Sequence, residues 1–312
     1  MGGPGSEREV SLNSGRAITG ALREWLPQAE IEPVIIDGTD VRLPEGTELV
    51  FIAIHGSFGE DGTLQTILEE RGIPYTGTDV GSSELAFDKI ASKGAFNEAG
   101  VPTPNWELIN RDADPASLEL ATPLVIKPPR EGSSVGVCIV QSPEEIAGAL
   151  KTAGKFAAEL LAEEFIAGRE LTVGILGDEV LPVIEIKPTE GFYDYEHKYS
   201  VGGSEHIVPA PLDEETTRRV QEAALAAHRS LNVHVYSRVD VRLDEAGVPW
   251  VLEVNTIPGM TATSLLPDAA SVAGYTFPAL CGRIAELSLQ RFEQPHVSAA
   301  ALRKREPAGN AA

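Results

Sequence analysis

The segment YSRVDVRLDEAGVPWVLEVNT, residues 236–256, limits the fold of this chain more than any other. It reads as two strands around a turn at Glu245-Ala246-Gly247. Side chains alternate between the two faces of a strand. With the loop centred on Ala246-Gly247, Asp240 faces Glu253 and Arg238 faces Asn255. One face of the ribbon then carries Arg238, Asp240, Glu253 and Asn255, and the other carries Val239, Val241, Leu252 and Val254. The apolar face requires a core beneath it. On the polar face, two directly opposed carboxylates repel at a cost of a few tenths to about 1 kcal/mol, and more in a low dielectric. A cation between them removes that cost. Asp, Glu and Asn offer hard oxygen donors, which suit Mg²⁺ or Mn²⁺ and not zinc. Mg²⁺ keeps positions open for water and phosphate, so a phosphate-bearing substrate is expected. The alternative is a solvated acidic face, and a slip of one residue would separate the pair altogether.

The net charge of −22 opposes non-specific attraction to nucleic acid or anionic lipid. It leaves room for a small anionic ligand where lysines gather. No apolar stretch reaches the roughly 18 residues of a membrane span, and MGGPGSEREVS lacks the basic start and apolar middle of a signal peptide. Neither a nucleic-acid nor a membrane partner is expected. Cys138 and Cys281 form no zinc or disulfide pattern. They read as buried free thiols in a reducing cytosol.

At roughly 100–200 residues per domain, 312 residues make two or three compact units. LVFIAIHG, residues 49–56, is apolar on both faces, as a central parallel strand would be. With IEPVIID before it and a helix near TLQTILEERG after it, residues 1–80 read as an α/β unit with a parallel sheet. The turn MGGPG ordinarily follows a buried strand. None precedes it, so that sheet is expected to lack its first strand. Residues 81–162 contain a helix over 84–99, then strand, glycine-serine loop and strand in LVIKPPREGSSVGVCIV, then the capped helix SPEEIAGALKTA. Residues 163–291 contain strands on either side of Gly177-Asp178, a long polar-aromatic segment over 191–211, a helix over 213–231, the acidic ribbon and a C-terminal helical region. The tail, 292–312, is expected to be disordered.

A second cluster points to phosphate. Lys127 ends the apolar strand LVIK and precedes PPREGSSVG, so an ammonium group and loop N–H groups lie together. The loop is not the P-loop pattern, and alone it could be a plain hairpin turn. Taken singly, Lys89 in AFDKIASK reads as a solvated helix lysine, and Glu163, Glu164 and Glu170 as surface charges.

The pieces SEREVSLNSG, HGSFGEDGTLQ, PYTG, DKIASK, IKPPREGSSVG, FYDYEHKY, RVDV and EVNTIPGMT occur in that order. Together they closely resemble the D-alanine–D-alanine ligases of the ATP-grasp superfamily, over residues 2 to about 290. The resemblance implies a three-domain ATP-grasp fold of mixed α/β and α+β class, with ATP held between the second and third domains. It implies a cytoplasmic homodimer that makes a peptidoglycan precursor from D-alanine and ATP with two Mg²⁺ or Mn²⁺ ions.

The resemblance also assigns residues. Glu253 matches a position that bridges two metal ions, Asp240 a ligand of one and Asn255 a ligand of the other. Lys89 and Lys127 match phosphate-contacting lysines. Glu163 and Glu170 match nucleoside-binding positions, the backbone of Glu164, Phe165 and Ile166 matches an adenine hinge, and Phe192 matches a packing position on the nucleotide. Arg238 matches an arginine near the reacting carbonyl oxygen, and Glu7 the acid that holds the first substrate's ammonium group. His55, Ser133, Lys198, Tyr199 and Ser264 match substrate-side positions. On their own, His55 could be a satisfied polar strand end and Ser264 a helix-start residue. The rivals to D-alanine ligation are a D-alanine–D-lactate ligase, another ATP-grasp amino-acid ligase, and a nucleotide-binding module without turnover.

Overall fold

The computed structural model describes residues 1–188, 204–261 and 263–293. Its framework is two antiparallel sheets. The smaller sheet has the order β1-β4-β2-β3, formed by Trp106–Asn110 (β1), Leu124–Lys127 (β2), Cys138–Val140 (β3) and Glu159–Glu164 (β4). One face is covered by helix α5 (Ile146–Ala153), whose Ile146, Ala149, Leu150 and Ala153 pack with Leu124, Ile126 and Leu160.

The larger sheet has the order β10-β9-β5-β7-β8, from Arg169–Leu176 (β5), Ile184–Pro188 (β7), Ser204–Ile207 (β8), Tyr236–Leu243 (β9) and Pro249–Asn255 (β10), with the short β6 (Glu179–Val180) beside β5. The long helix α6 (Glu214–Ser230) starts at Asp213, whose carboxylate accepts from the Thr216 N–H. It buries Val220, Ala223, Ala224 and Ala227 against Val173, Val239, Val241 and Val254. Helices α7 (Leu265–Val272) and α8 (Phe277–Glu293) join Ile18 and Leu22 of α1 (Arg8–Trp25) in a further core with Leu181 and Tyr236. Cys281 is buried there, and burial pushes its thiol up to about 12; Cys138 is only half-buried. No helix among the described residues is long and apolar enough to cross a membrane.

Four expectations change. The parallel sheet over residues 1–80 is reduced, among the described residues, to two isolated parallel bridges, Gly2 with Ile36 and Val50 with Tyr75. Beyond the second bridge the Thr76 hydroxyl, not a carbonyl, takes the Ile52 N–H at 3.0 Å, so no ladder propagates there. Residues 1–3 pair with Ile36, which lies between the Met1 carbonyl and the Gly3 N–H. The helix expected over 84–99 is two, α3 (Val80–Phe87) and α4 (Lys89–Glu98), broken at Asp88, whose carboxylate caps α4 through the Ile90 and Ala91 N–H groups. Helix α8 continues through Phe292 and Glu293, which had been assigned to the tail. Part of the segment 191–211 is the edge strand β8. The remaining tail residues, 294–312, and the segment up to 203 lie outside the described residues.

Gly174 of β5 lets α7 lie on the large sheet. A Cβ there would come within 2.6 Å of Leu266 and 2.8 Å of Leu181 side-chain carbons. Gly174→Val should therefore overpack this contact by about 1–3 kcal/mol, seen as a fall of several degrees in Tm.

Candidate active site

The ribbon places its acids as its alternation requires, by an unexpected route. Glu253 pairs with Asp240, and Asn255 with Arg238. Yet the turn is centred half a residue earlier than expected, because Leu243 pairs with Pro249 and Val241 with Val251. A bulge between Val251 and Glu253 restores the offset. As a result Val251, not Leu252, is the buried residue, and Leu252 joins Glu253 in lining a cleft. Val251 is pinned from outside the sheet: its N–H donates to Pro102 O at 2.8 Å, and its carbonyl accepts from Thr103 Oγ1 at 2.8 Å.

Each acid has cationic and polar company. Arg238 grips Asp240 through Nε and Nη2, both at 2.9 Å. Thr172 Oγ1 and Asn255 Nδ2 add bonds of 2.7 and 3.1 Å to the same carboxylate. Glu253 Oε2 lies 3.1 Å from Lys89 Nζ. Burial would lower the Lys89 ammonium, but the adjacent Glu253 outweighs it and the net shift is upward.

The break at Asp88 starts α4 at Lys89 and so aims that lysine into the cleft. Its Nζ also donates to Glu131 O at 2.8 Å, and its N–H donates to Pro129 O at 3.0 Å. Arg130 binds Asp88 at 2.8 Å, a second link between the glycine-serine loop and α4. Lys127, at the end of β2, bonds Glu163 Oε1. The other oxygen of Glu163 pairs with Lys93 Nζ at 2.8 Å. Burial alone would raise the Glu163 carboxyl, but the two lysines overcome it and hold it at about 2. Lys93 was not singled out in the sequence. A lysine four residues after Lys89 on a helix reads as solvated, yet Lys93 is fully buried.

Glu164, Phe165 and Ile166 follow Glu163 along the cleft wall. The Glu164 and Phe165 N–H groups donate to Asn105 and Pro123 carbonyls, at 2.8 and 3.2 Å. Arg242 braces this wall: it binds Glu170 at 3.0 Å, donates to Ile166 O at 3.2 Å and lies over the Phe165 ring at 5.8 Å. It too went unassigned, although it sits two residues after Asp240 and therefore on the same face.

The residues that the resemblance puts on the substrate side come from three parts of the chain. Glu7, at the start of α1, accepts a hydrogen bond from Ser133 of the glycine-serine loop. Gly56 and Gly132 flank its carboxylate, where a Cβ at either position would lie 2.7 Å from Oε2. His55 is buried with both ring nitrogens engaged: Nδ1 donates to Ile257 O at 2.8 Å, and Ser14 Oγ donates to Nε2 at 2.9 Å. Burial lowers its pKa, so the ring is held neutral, and it acts as a strut rather than as a group open to a substrate. Glu60, from HGSFGEDG, lies 3.9 Å from His55 Nδ1. Burial first and Glu7 second raise its carboxyl well above the usual range. Ser264 immediately precedes α7, and its hydroxyl accepts from the Thr261 N–H at 2.9 Å. Phe192, Lys198 and Tyr199 lie outside the described residues.

One cleft thus joins Lys89, Lys127, Ser133, the 163–166 wall, Glu170, Asp240 and Glu253. Two family models cover most of the chain: "D-ala D-ala ligase N-terminus" matches residues 37–78 and "D-ala D-ala ligase C-terminus" matches residues 95–286. The chain belongs to the D-alanine–D-alanine ligase family. A D-alanine–D-alanine ligase of Methylacidiphilum infernorum is 47% identical over 94% of this chain and 95% of its own. Among solved structures, the D-alanine–D-alanine ligase of Bacillus anthracis superposes with a TM-score of 0.83 at 36% identity, over 94% of this chain and 97% of that one. The same enzyme complexed with ATP gives a TM-score of 0.81. The VanG D-Ala:D-Ser ligase of Enterococcus faecalis gives 0.77 at 31% identity, over 92% and 97% of the two chains.

The family implies divalent metal, and the donor set fits it. Among the described residues no group of three or more His, Cys, Asp and Glu is arranged for a metal. Asp240, Glu253 and Asn255 are two carboxylates and one amide, with Asp240 and Glu253 facing each other. Such a sparse set of hard oxygens suits an ion that keeps water and phosphate oxygens as its other ligands.

His55 gives the fold a pH dependence. Burial favours its neutral form, so on acidification the unfolded chain takes up a proton that the folded chain resists. The stability is fully present above the ordinary histidine value of about 6.5 and is lost as pH falls through the lower folded value. His228, on the buried face of α6 and held down at about 4 chiefly by burial, adds in the same sense. Tm should fall between about pH 7 and 4, and His228→Gln should flatten part of that fall.

Proposed function

We propose that this chain is an ATP-dependent ligase that joins two D-alanines into D-alanyl-D-alanine, for peptidoglycan precursor synthesis. The reading rests on one observation above all: in a chain of this family, Lys89 and Lys127 converge in a single cleft with the facing Asp240–Glu253 pair. Cytoplasmic location and a homodimer rest on the family, and the domain limits 1–80, 81–162 and 163–291 rest on the order of strands, helices and loops in the sequence.

Joining a carboxylate to an amine in water requires activation of the carboxylate. In this reading the first D-alanine carboxylate attacks the γ-phosphate of ATP, giving an acyl phosphate and ADP. The amine of the second D-alanine then attacks the acyl carbon, and phosphate leaves. Lys89 and Lys127 hold the phosphates, and Glu163, Glu170 and the Glu164–Ile166 wall hold the nucleoside, with Phe192 packed against it. Asp240, Glu253 and Asn255 would hold the Mg²⁺ or Mn²⁺ ions, whose chemistry there is to offset charge on phosphate oxygens.

The remaining roles follow from position and charge. Arg238, already fixed by its fork on Asp240, is suited to stabilise the tetrahedral oxyanion of the second step. Glu7 pairs with the first substrate's ammonium and orients it, while Ser133 holds the Glu7 carboxylate from across the cleft. His55 positions the loop that follows the acid strand, through Ile257 O. Ser264 and Lys198 are suited to the second substrate's carboxylate, and Tyr199 to the hydroxyl link with Ser133 and Glu7.

Incubation with ATP, Mg²⁺ and D-alanine should release phosphate and yield D-alanyl-D-alanine by mass. D-lactate and D-serine, offered as second substrates across pH, should compete poorly. Absence of the dipeptide, or preferential formation of the depsipeptide, would reject the reading. Glu253→Gln should cut turnover by on the order of a hundredfold or more, as loss of one group aimed at transition-state charge does.

A further inference from the structure

Among the described residues, Lys93 is a fully buried cation beside the cleft that the proposed mechanism gives no task. It stands one helical turn beyond Lys89 on α4 and is fully buried. Lys89, Lys127 and Glu163 line the cleft, but Lys93 does not. Its Nζ lies 2.8 Å from Glu163 Oε2 and donates to Thr103 Oγ1 at 2.7 Å. Thr103 in turn donates to the carbonyl of Val251, the residue at which the β10 bulge begins. Lys93 therefore touches both the carboxylate that Lys127 binds and the post that holds the bulge ahead of Glu253.

We infer that Lys93 is a positioning residue of the nucleotide site: it takes one oxygen of Glu163, so that Lys127 keeps charge for the phosphates, and it braces the bulge through Thr103. The inference rests on the ligase reading. Two ammonium groups share one carboxylate, which leaves the cluster a net positive charge in a chain of net charge −22. Without Lys93, Lys127 and Glu163 form a closed neutral pair with nothing to spare for an anion. Burial, with the neighbouring Lys127, lowers the Lys93 ammonium on balance, and Glu163 offsets part of that. A buried cation of this kind is costly unless paired; a core position with no electrostatic task would be better filled by methionine.

The test uses the full chain and inorganic tripolyphosphate with Mg²⁺, a probe that has no nucleoside to contact Glu163. Lys93→Met should bind it about tenfold more weakly by calorimetry, a loss of about 1.4 kcal/mol. The double variant Lys93→Met/Glu163→Gln, which restores the net charge, should recover to within about threefold of wild type. A folded Lys93→Met protein that binds tripolyphosphate as well as wild type would overturn the inference. If Lys93→Met does not fold, Glu163→Gln is compared with and without Lys93→Met: because Lys93 acts through Glu163, the two should bind tripolyphosphate within about threefold of each other, and a tenfold loss on removing Lys93 there would refute the inference. Thr103→Val keeps both charges and the Lys93–Glu163 pair, and cuts the bonds of the Thr103 hydroxyl to Lys93 and Val251. It should lower kcat about tenfold while leaving tripolyphosphate affinity within about twofold, and an unchanged kcat would remove the bracing role. Dipeptide formation by the wild-type protein tests the ligase reading separately, so the two can fail independently.

Discussion

Two carboxylates made to face each other across neighbouring strands are the constraint around which this protein is organised. Asp240 and Glu253 can occupy those places only if their repulsion is met from within. The structure meets it with Arg238 on one acid and Lys89 on the other. Those two cations draw in the rest. Lys89 needs the helix to restart at Asp88, and it brings the glycine-serine loop with it through Pro129 and Glu131. Arg238 grips Asp240 from two residues away on the same strand, and the bulge after Val251 brings Glu253 opposite that pair. The cleft is thus a lattice of paired charges that the protein's own side chains hold in place.

How much of this could be read from the residues depends on the range of the interaction. The facing of Asp240 and Glu253 was legible because strand alternation is local. The bulge was not: the loop centre lies half a residue from its expected place, and the extra residue at Leu252 cancels that offset. The acids therefore appear where alternation puts them, while Val251 and Leu252 exchange burial. Lys127 was legible from its place between an apolar strand and a glycine-serine loop, whereas Lys89, Glu163 and Glu170 entered through family resemblance, and the structure brings all four into one cleft. Lys93 and Arg242 escaped because a lysine on a helix and an arginine on a strand look solvated until their partners, distant in sequence, are placed beside them.

The N-terminal residues show the same limit differently. The apolar run LVFIAIHG predicts a central parallel strand; its burial holds, with Ile52, Ala53 and Ile54 almost without exposure, but the ladder is reduced to the isolated bridge at Val50. Whether buried extended segments form a ladder depends on which atoms meet the edge. At Ile52 a threonine hydroxyl does so in place of a carbonyl, and side-chain substitution of that kind leaves no trace in hydropathy.

The contacts of His55 and Ser14 carry a mechanical consequence. His55 holds Ile257, and Ser14 receives the Met260 N–H, so the loop leaving the acid strand is tethered at two points to the first sixty residues of the chain. Tilting those residues would drag on the strand end that bears Glu253 and Asn255. The placement of Glu7 at the start of α1 and the alignment of the acids are therefore geared to one another, and neither can be tuned in isolation.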